Sequence, residues 1–340
     1  MRWCLALLFI VCCAPKDESL VTIIWEDNKA VAISIFESSD SLEVSLRGAP
    51  YPVIGEHNTR DGHSVFTPAV PFERGSEYVV TTSSRAMYSF LVPADTTQRA
   101  PALTGSFPSC DTVPSNLLKM YLQFSEPMME GRSSQFVQLF DAVTGDTLNS
   151  AFLDLQPELW NEDGTILTLW LDPGRIKQDL IPNKKLGVVL NDSRRYTLKV
   201  ARGWRSKNGL PIEREFNRTF TASKRDVAKP NFKLWSVSAA RTEVRIEFNE
   251  SLDWSLINSC FSIWSGDQEI EALTIAELCE TSLTILPPIV MQPGDYSLNI
   301  ESRLEDLAGN NLNRLFETDV TNESKVSQKK DVYTISFRVN

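Results

Sequence analysis

The sequence predicts an all-β protein built from tandem β-sandwich domains, with at most one short helix in the second domain. Two observations lead to this prediction. A pattern of strand, proline, turn and tyrosine occurs three times along the chain at domain-sized spacing. In two copies the first strand alternates apolar and polar residues, as half-buried strands do. The length of 340 residues suits two or three such domains, each with its own core.

The N-terminus predicts export from the cytoplasm. Arg2 precedes an apolar run over residues 5–11 that is too short to span a bilayer. The run ends in Ile10-Val11-Cys12-Cys13, which resembles the lipobox of bacterial lipoproteins. This resemblance implies that residues 1–12 are a signal peptide and that Cys13 carries the lipid. The alternative is an ordinary secretory signal with a cleavage site slightly further on. We expect a lipid-anchored protein of the outer membrane or cell surface.

Residues 13–19 form the predicted lipidated tether. The cluster Lys16-Asp17-Glu18 resembles the surface-export tag of lipoproteins in some Gram-negative bacteria, and a solvated spacer is the alternative. No other segment reaches membrane-spanning length, so the lipid is the only membrane attachment that we expect.

The repeated pattern begins with an alternating strand that ends in Phe, with a Glu close behind, at residues 31–37, 120–126 and 244–250. One face of the strand is predicted to lie on a core and the other to face water. The glutamates are Glu37, Glu126 and Glu250. A glycosidase needs two carboxylates across one cleft, whereas one Glu per domain indicates a structural role such as bonding turn amides.

The second part of the pattern is a short apolar strand, a proline, a turn and a tyrosine that opens another strand. The tyrosines are Tyr78, Tyr196 and Tyr296, and their position is similar to the tyrosine corner of Ig-like sandwiches. The last two copies close with a turn before a final strand. Asn208-Gly209 precedes a predicted strand at 216–220, and residues 306–310 precede one at 315–320.

Two of these stretches carry a resemblance to a known family. Phe124-Ser125-Glu126-Pro127-Met128 and Asp306-Leu307-Ala308-Gly309-Asn310 resemble the F-x-E-P-M strand end and D-x-A-G-N turn of bacterial Ig-like domains of the S-layer (SbsA-like) type. The resemblance covers about residues 100–322, and the first copy lacks the D-x-A-G-N turn. It implies a structural or adhesive module without catalysis.

The predicted domain boundaries lie at residues 93–97 and 223–226, where the alternation of apolar and polar residues stops and Pro, Thr and Ala collect. A degenerate Ig-like domain covers 20–97, an Ig-like domain with an insertion covers 98–224, and a third covers 227–322. Residues 323–340 are a tail in which 333–337 alternate and predict a terminal strand. The insertion at 172–180 begins with Asp-Pro and predicts one short helix.

The sequence favours no catalytic or metal chemistry. His57 and His63, with Asp61 between them, lie in a stretch whose composition is typical of a turn, so we predict no metal and no cofactor. There is no G-x-S-x-G elbow and no phosphate-binding glycine loop. The net charge of −10 and the lack of long Lys/Arg clusters argue against nucleic acid. Surface proteins or glycans are the expected partners besides the membrane.

Tryptophans and cysteines supply the remaining candidates. Trp160, Trp204 and Trp254 lie near predicted turns and form the candidate surface of the alternative function, an extracellular glycan-binding module. Packing at a domain junction is the competing interpretation. Besides the lipidated Cys13, three cysteines remain after the predicted processing. Cys260 and Cys279 lie in one predicted domain and are the candidate disulfide, whereas Cys110 lies in another.

Overall fold

The computed structural model describes residues 20–36, 39, 41–60, 62–177, 181–317 and 330–340, which are mostly antiparallel β-sheet. The predicted signal peptide and Cys13 lie outside these residues. The chain divides into two compact units, Met1–Gln98 with Lys207–Leu210, and Arg99–Ser206 with Pro211–Asn340. In the described part of the chain, no helix is long and apolar enough to cross a bilayer.

The first unit contains a β-sandwich. Its strands, numbered in chain order, are β1 (Val21–Glu26), β2 (Lys29–Ile35), β3 (Leu42–Leu46), β4 (Gly55–Arg60), β5 (His63–Pro68), β6 (Glu77–Thr82) and β7 (Met87–Leu91). One sheet has the order β1-β2-β5-β4 and the other β3-β6-β7. Ile33, Val44 and Val80 are buried in its hydrophobic core, which stabilises the sandwich by removing apolar surface from water.

The two histidines lie on the β4–β5 hairpin, not in a loop. His57 pairs with Phe66, and Arg60 pairs with His63. Because side chains alternate along a strand, the two histidines project from opposite faces of the hairpin. Asp61 lies outside the described residues. Pairing with β5 thus overrides the turn-like composition of residues 56–60, and the histidines do not converge on one point.

The second sandwich consists of β8 (Leu103–Phe107), β9 (Thr112–Pro114), β10 (Lys119–Phe124), β11 (Val137–Asp141), β12 (Leu159–Trp160), β13 (Ile166–Trp170), β14 (Arg195–Val200) and β15 (Phe216–Ser223). Its sheets have the orders β12-β13-β10-β8 and β11-β14-β15-β9. Met120, Leu122 and Phe124 of β10 point into the core between them, as the alternation predicted.

The predicted class, all-β with tandem sandwiches, is confirmed, but the second sandwich has more than the one short helix that we expected. The second sandwich carries α1 (Ser133–Phe136), α2 (Pro173–Ile176) and α3 (Ile181–Leu186). Helix α2 begins where the insertion predicted it, because the carboxylate of Asp172 accepts the N–H of Gly174 and Pro173 occupies the first turn. Helices of one or two turns have little periodicity, so the sequence carries no signal for α1.

The third sandwich consists of β16 (Ser236–Ala239), β17 (Val244–Glu247), β18 (Phe261–Ser265), β19 (Gln268–Ile270), β20 (Leu273–Ala276), β21 (Ser282–Leu286), β22 (Gly294–Glu301) and β23 (Val332–Val339), with one short helix, α4 (Trp254–Ile257). Its sheets have the orders β16-β17-β21-β20 and β19-β18-β22-β23. Residues 315–317 are not in the strand predicted at 315–320, and 318–320 lie outside the described residues. Strand β23 instead pairs with β22 along its whole length.

Each sandwich contains a tyrosine corner. The Tyr78 hydroxyl accepts a hydrogen bond from the N–H of Glu73 (2.9 Å), and the Tyr196 hydroxyl accepts one from the N–H of Asn191 (2.7 Å). The Tyr296 hydroxyl donates to the carbonyl of Gln292 (2.8 Å). The same local device recurs in all three copies of the repeat, as the sequence predicted. It fixes the chain just before β6, β14 and β22.

Candidate functional site

The candidate functional site is the junction between the second and third sandwiches. The third sandwich covers the part of the outer face of sheet β12-β13-β10-β8 around β8 and β10, a face that the sequence predicted to lie in water. Tyr121, on that face of β10, is only 5% exposed. Phe107 of β8 lies directly opposite Tyr121, and Trp170 of β13 lies opposite Lys119. In the sequence, the signal for this junction was Tyr121, an aromatic residue on the strand face that alternation assigns to solvent.

An aromatic stack forms the apolar part of the junction. The ring of Trp254, the first residue of α4, stacks on Phe107 with centroids 4.1 Å apart and lies 5.5 Å from the Tyr121 ring. Helix α4 holds Trp254 in place because Asp253 caps it, accepting the N–H groups of Ser255 and Leu256. Such a stack is worth about 0.5–1.5 kcal/mol beyond the apolar area that it buries.

A buried ion cluster lies beside the stack. The ammonium of Lys119 is 2.7 Å from Glu305 and 3.3 Å from Asp253. The hydroxyl of Tyr121 donates to the Asp253 carboxylate at 2.8 Å. Burial disfavours the charge on Lys119, but the two carboxylates outweigh it and raise the pKa of Lys119 above its ordinary value. Burial and the nearby Asp253 charge also raise the pKa of Tyr121. Lys119 is therefore charged and Tyr121 protonated near neutral pH.

A disulfide crosses the junction, and it is not the predicted one. Cys110 of the second sandwich is bonded to Cys279 of the third, with their Cα atoms 4.4 Å apart. Cys260 is a free thiol, 1% exposed, in the core of the third sandwich. Burial raises the pKa of this thiol to about 11, so it is unreactive. The prediction of a Cys260–Cys279 bond was wrong because it assumed pairing within one domain.

Polar contacts surround the disulfide. The N–H of Ser109 donates to both carboxylate oxygens of Glu280 at 3.0 Å, and the N–H of Cys279 donates to the Ser109 hydroxyl at 2.7 Å. Glu280 is 1% exposed, and burial raises the pKa of its carboxyl against the opposing effects of Ser109 and Arg218. The Arg218 guanidinium donates to the carbonyls of Ser106, Pro108 and Cys110 and so holds this loop in place.

The D-x-A-G-N turn belongs to the junction as well. The Asp306 carboxylate accepts the N–H groups of Ala308 (2.8 Å) and Asn310 (3.0 Å), and the Asn310 amide donates back to it at 2.9 Å. These bonds close the turn. They give the acid at the first position of this turn and the amide at its last a structural role.

The turn presses against the second sandwich. Leu307 packs in the core of that sandwich, and its carbonyl accepts the N–H of Leu118 at 2.9 Å. Gly309 has φ +81°, and a β-carbon there would lie 2.4 Å from the Cδ2 atom of Leu118. Only glycine fits both the backbone conformation and the space.

Three carboxylates meet beside the turn. The ligand oxygens of Asp226, Glu250 and Asp306 lie within 4.8 Å of one another. Burial, with the Asp226 charge adding to it, raises the pKa of Glu250 and of Asp306 to about 7. Carboxylate oxygens are ligands that Ca²⁺ and Mg²⁺ prefer, although Ca²⁺ takes about six to eight oxygens in all. Glu250 also accepts the N–H of Asn231, in keeping with a structural role. The absence of a metal stays a prediction.

The prediction that three tryptophans share an exposed glycan-binding surface was wrong. Trp204 is 0% exposed and donates its indole N–H to the carbonyl of Met129. Trp160 packs against Trp204 with centroids 5.8 Å apart, and Trp254 lies in the junction stack. Two of the three thus belong to the core of the second sandwich, because burying such large apolar rings stabilises a core more than exposing them would. They form no shared exposed platform for a sugar.

The described residues therefore form a chain of Ig-like β-sandwiches, two of which are joined by a buried junction. No protein-family model and no curated protein matches the chain. Several solved structures match the chain at low similarity. The chicken CNTN1 FN1–FN3 domains are 10% identical, with 94% of this chain and 97% of that chain covered and a TM-score of 0.22. The I67–I69 fragment of titin is 11% identical, covering 79% and 86%, with a TM-score of 0.18. The N-terminal part of the bacterial S-layer protein SbsC is 12% identical, covering 64% and 43%, with a TM-score of 0.25. The fold itself rests on the sheet pairing described above.

Proposed function

We propose that this chain is a non-catalytic structural module, held outside the cytoplasm by a lipid on Cys13, in which the second and third sandwiches act as one rigid segment. The observation that carries this proposal is the junction. The Cys110–Cys279 bond, the Trp254 stack and the adjoining Lys119 ion cluster together hold the two sandwiches. A junction fixed in this way transmits position and force, which a spacer or adhesive stalk requires.

The disulfide also supports the proposed location. Disulfides persist in oxidising compartments such as the periplasm and the cell surface and are rare in the cytosol. The lipid is then the only membrane attachment. Other surface proteins or glycans are the proposed partners of the exported domains. A net charge of −10 repels the phosphates of nucleic acid, which we exclude as a partner.

Rigidity is tested by measuring the distance between the two sandwiches. Spin labels at the exposed residues Asp163 and Asp267 should give one narrow distance distribution in the full chain. The Trp254→Ala variant with both bridging cysteines changed to serine is the matched control, and its distribution should broaden. A wild-type distribution as broad as the control would refute the rigid segment.

The anchor is tested by metabolic labelling with palmitate. Cys13→Ala should lose the label and move to the soluble fraction, because the hydrocarbon chains that bind the bilayer are then missing. Cys12→Ala is the matched control and should keep the label, since the lipobox resemblance assigns the lipid to the second cysteine. Label that persists on the Cys13→Ala protein would show that another residue carries the lipid.

A further inference from the structure

The disulfide closes a covalent loop that contains most of the residues of the second unit. Cys110 lies between β8 and β9, and Cys279 lies between β20 and β21. Strands β9 to β20 therefore lie inside the loop. Of the strands described in this unit, only β8 of the second sandwich and β21 to β23 of the third lie outside it.

We propose that the Cys110–Cys279 bond is a force shunt: tension along the chain passes through the bond and bypasses the second sandwich. This inference rests on the proposed structural function, in which the chain is anchored at one end. A covalent bond does not extend under forces that unfold a domain, so the chain between the two cysteines, which are 169 positions apart, cannot be pulled straight while it is closed.

The load path through the second sandwich is short. Tension that enters at Arg99 runs along β8 to Cys110. Strand β8 is at the edge of its sheet, where its neighbour is β10. It is already extended, so detaching it releases almost no length. Apart from the hydrogen bonds that β10 makes with β8, the second sandwich and its core lie outside this covalent path.

The load path through the third sandwich places its strands in shear. Strand β21 begins at Ser282, just after Cys279, and is a central strand between β17 and β20. Val339 at the end of β23 pairs with Gly294, the first residue of β22. Residues 287–293 connect β21 to β22, so Val339 lies at the end of the sandwich opposite Ser282. Tension therefore acts along the strands, perpendicular to their hydrogen bonds, and loads these bonds together.

Single-molecule force spectroscopy tests the shunt on the chain from Leu20 to Asn340, held by handles at both ends without reductant. The fully extended wild type should be shorter than the Cys110→Ser/Cys279→Ser variant. With the cysteines 169 residues apart and about 3.4 Å per residue, the expected difference is about 570 Å. Cys260→Ala, which removes only the free thiol, should keep the wild-type length.

Equal lengths for the wild type and the double variant would overturn the proposal. If the double variant does not fold, its trace loses its force peaks but reaches the same full length, so the comparison still holds. Failure of the shunt is distinguishable from failure of the proposed location. Fractionation of Cys13→Ala tests the anchor alone and leaves the length difference unchanged.

Discussion

Replacing Gly309 by alanine should destabilise the junction by two separable effects. The residue has φ +81°, a conformation that costs a non-glycine residue about 1–2 kcal/mol. The new β-carbon would also lie 2.4 Å from Leu118 Cδ2, and overpacking of this kind costs about 1–3 kcal/mol. We expect Gly309→Ala to lower the free energy of unfolding of the second unit by about 2–5 kcal/mol.

Two comparisons separate these effects. Gly266 has φ +59° with nothing within 4 Å, so Gly266→Ala should show the backbone cost alone, about 1–2 kcal/mol. In a Leu118→Ala background the 2.4 Å clash is removed and only the Phe316 ring remains close, at 3.3 Å, so the cost of Gly309→Ala should fall towards the same value. Urea unfolding of the full chain, followed by tryptophan fluorescence, measures all four variants. The contact between turn and second sandwich would be refuted if Gly309→Ala cost as much in the Leu118→Ala background as in the wild type.

Two further predictions concern the third sandwich. Phe248 is buried against Trp235 (4.8 Å between centroids), so Phe248→Ala should cost about 3–5 kcal/mol, and calorimetry showing an unchanged melt would contradict its place in the core. The pKa of Glu250 is raised from 4.5 to about 7, so the folded state binds its proton more tightly than the unfolded state does. Stability should therefore fall as the pH rises from about 4.5 to 7, by about 1–2 kcal/mol for this partly exposed group. Glu250→Gln should flatten that fall in urea titrations at pH 5 and pH 8, and an identical pH dependence in both proteins would count against the shift.

Local patterns were enough to predict the sandwiches. Alternation in β10 and β17 identified the core-facing residues, because a period of two is a property of each strand by itself. The tyrosine corners were predictable for the same reason, since each bond spans only four or five residues. The proposed division into three domains also stems from these local signals.

Contacts between sandwiches were not predictable in this way. Tyr121 looked solvent-facing because alternation describes one sheet and not what covers it. The partner of Cys279 was misassigned because Cys110 lies 169 residues away, and only the packing of two sandwiches brings them together. The tryptophans failed similarly, since a residue near a turn can still point inward, as Trp204 does.

Leu307 gives the second core a dependence on the order of synthesis. The other buried residues of that core all precede Val227, whereas Leu307 and the partly buried Phe316 that packs against the core come from the third sandwich. A chain that arrives N-terminus first in the compartment where it folds brings residues up to Ala222 there before Leu307. During that interval the nascent second sandwich exposes the apolar site where Leu307 will pack. Until the third sandwich is present, this exposed apolar site makes the chain prone to aggregation. Truncations that end before Leu307 should therefore leave a second sandwich that is incomplete and aggregates.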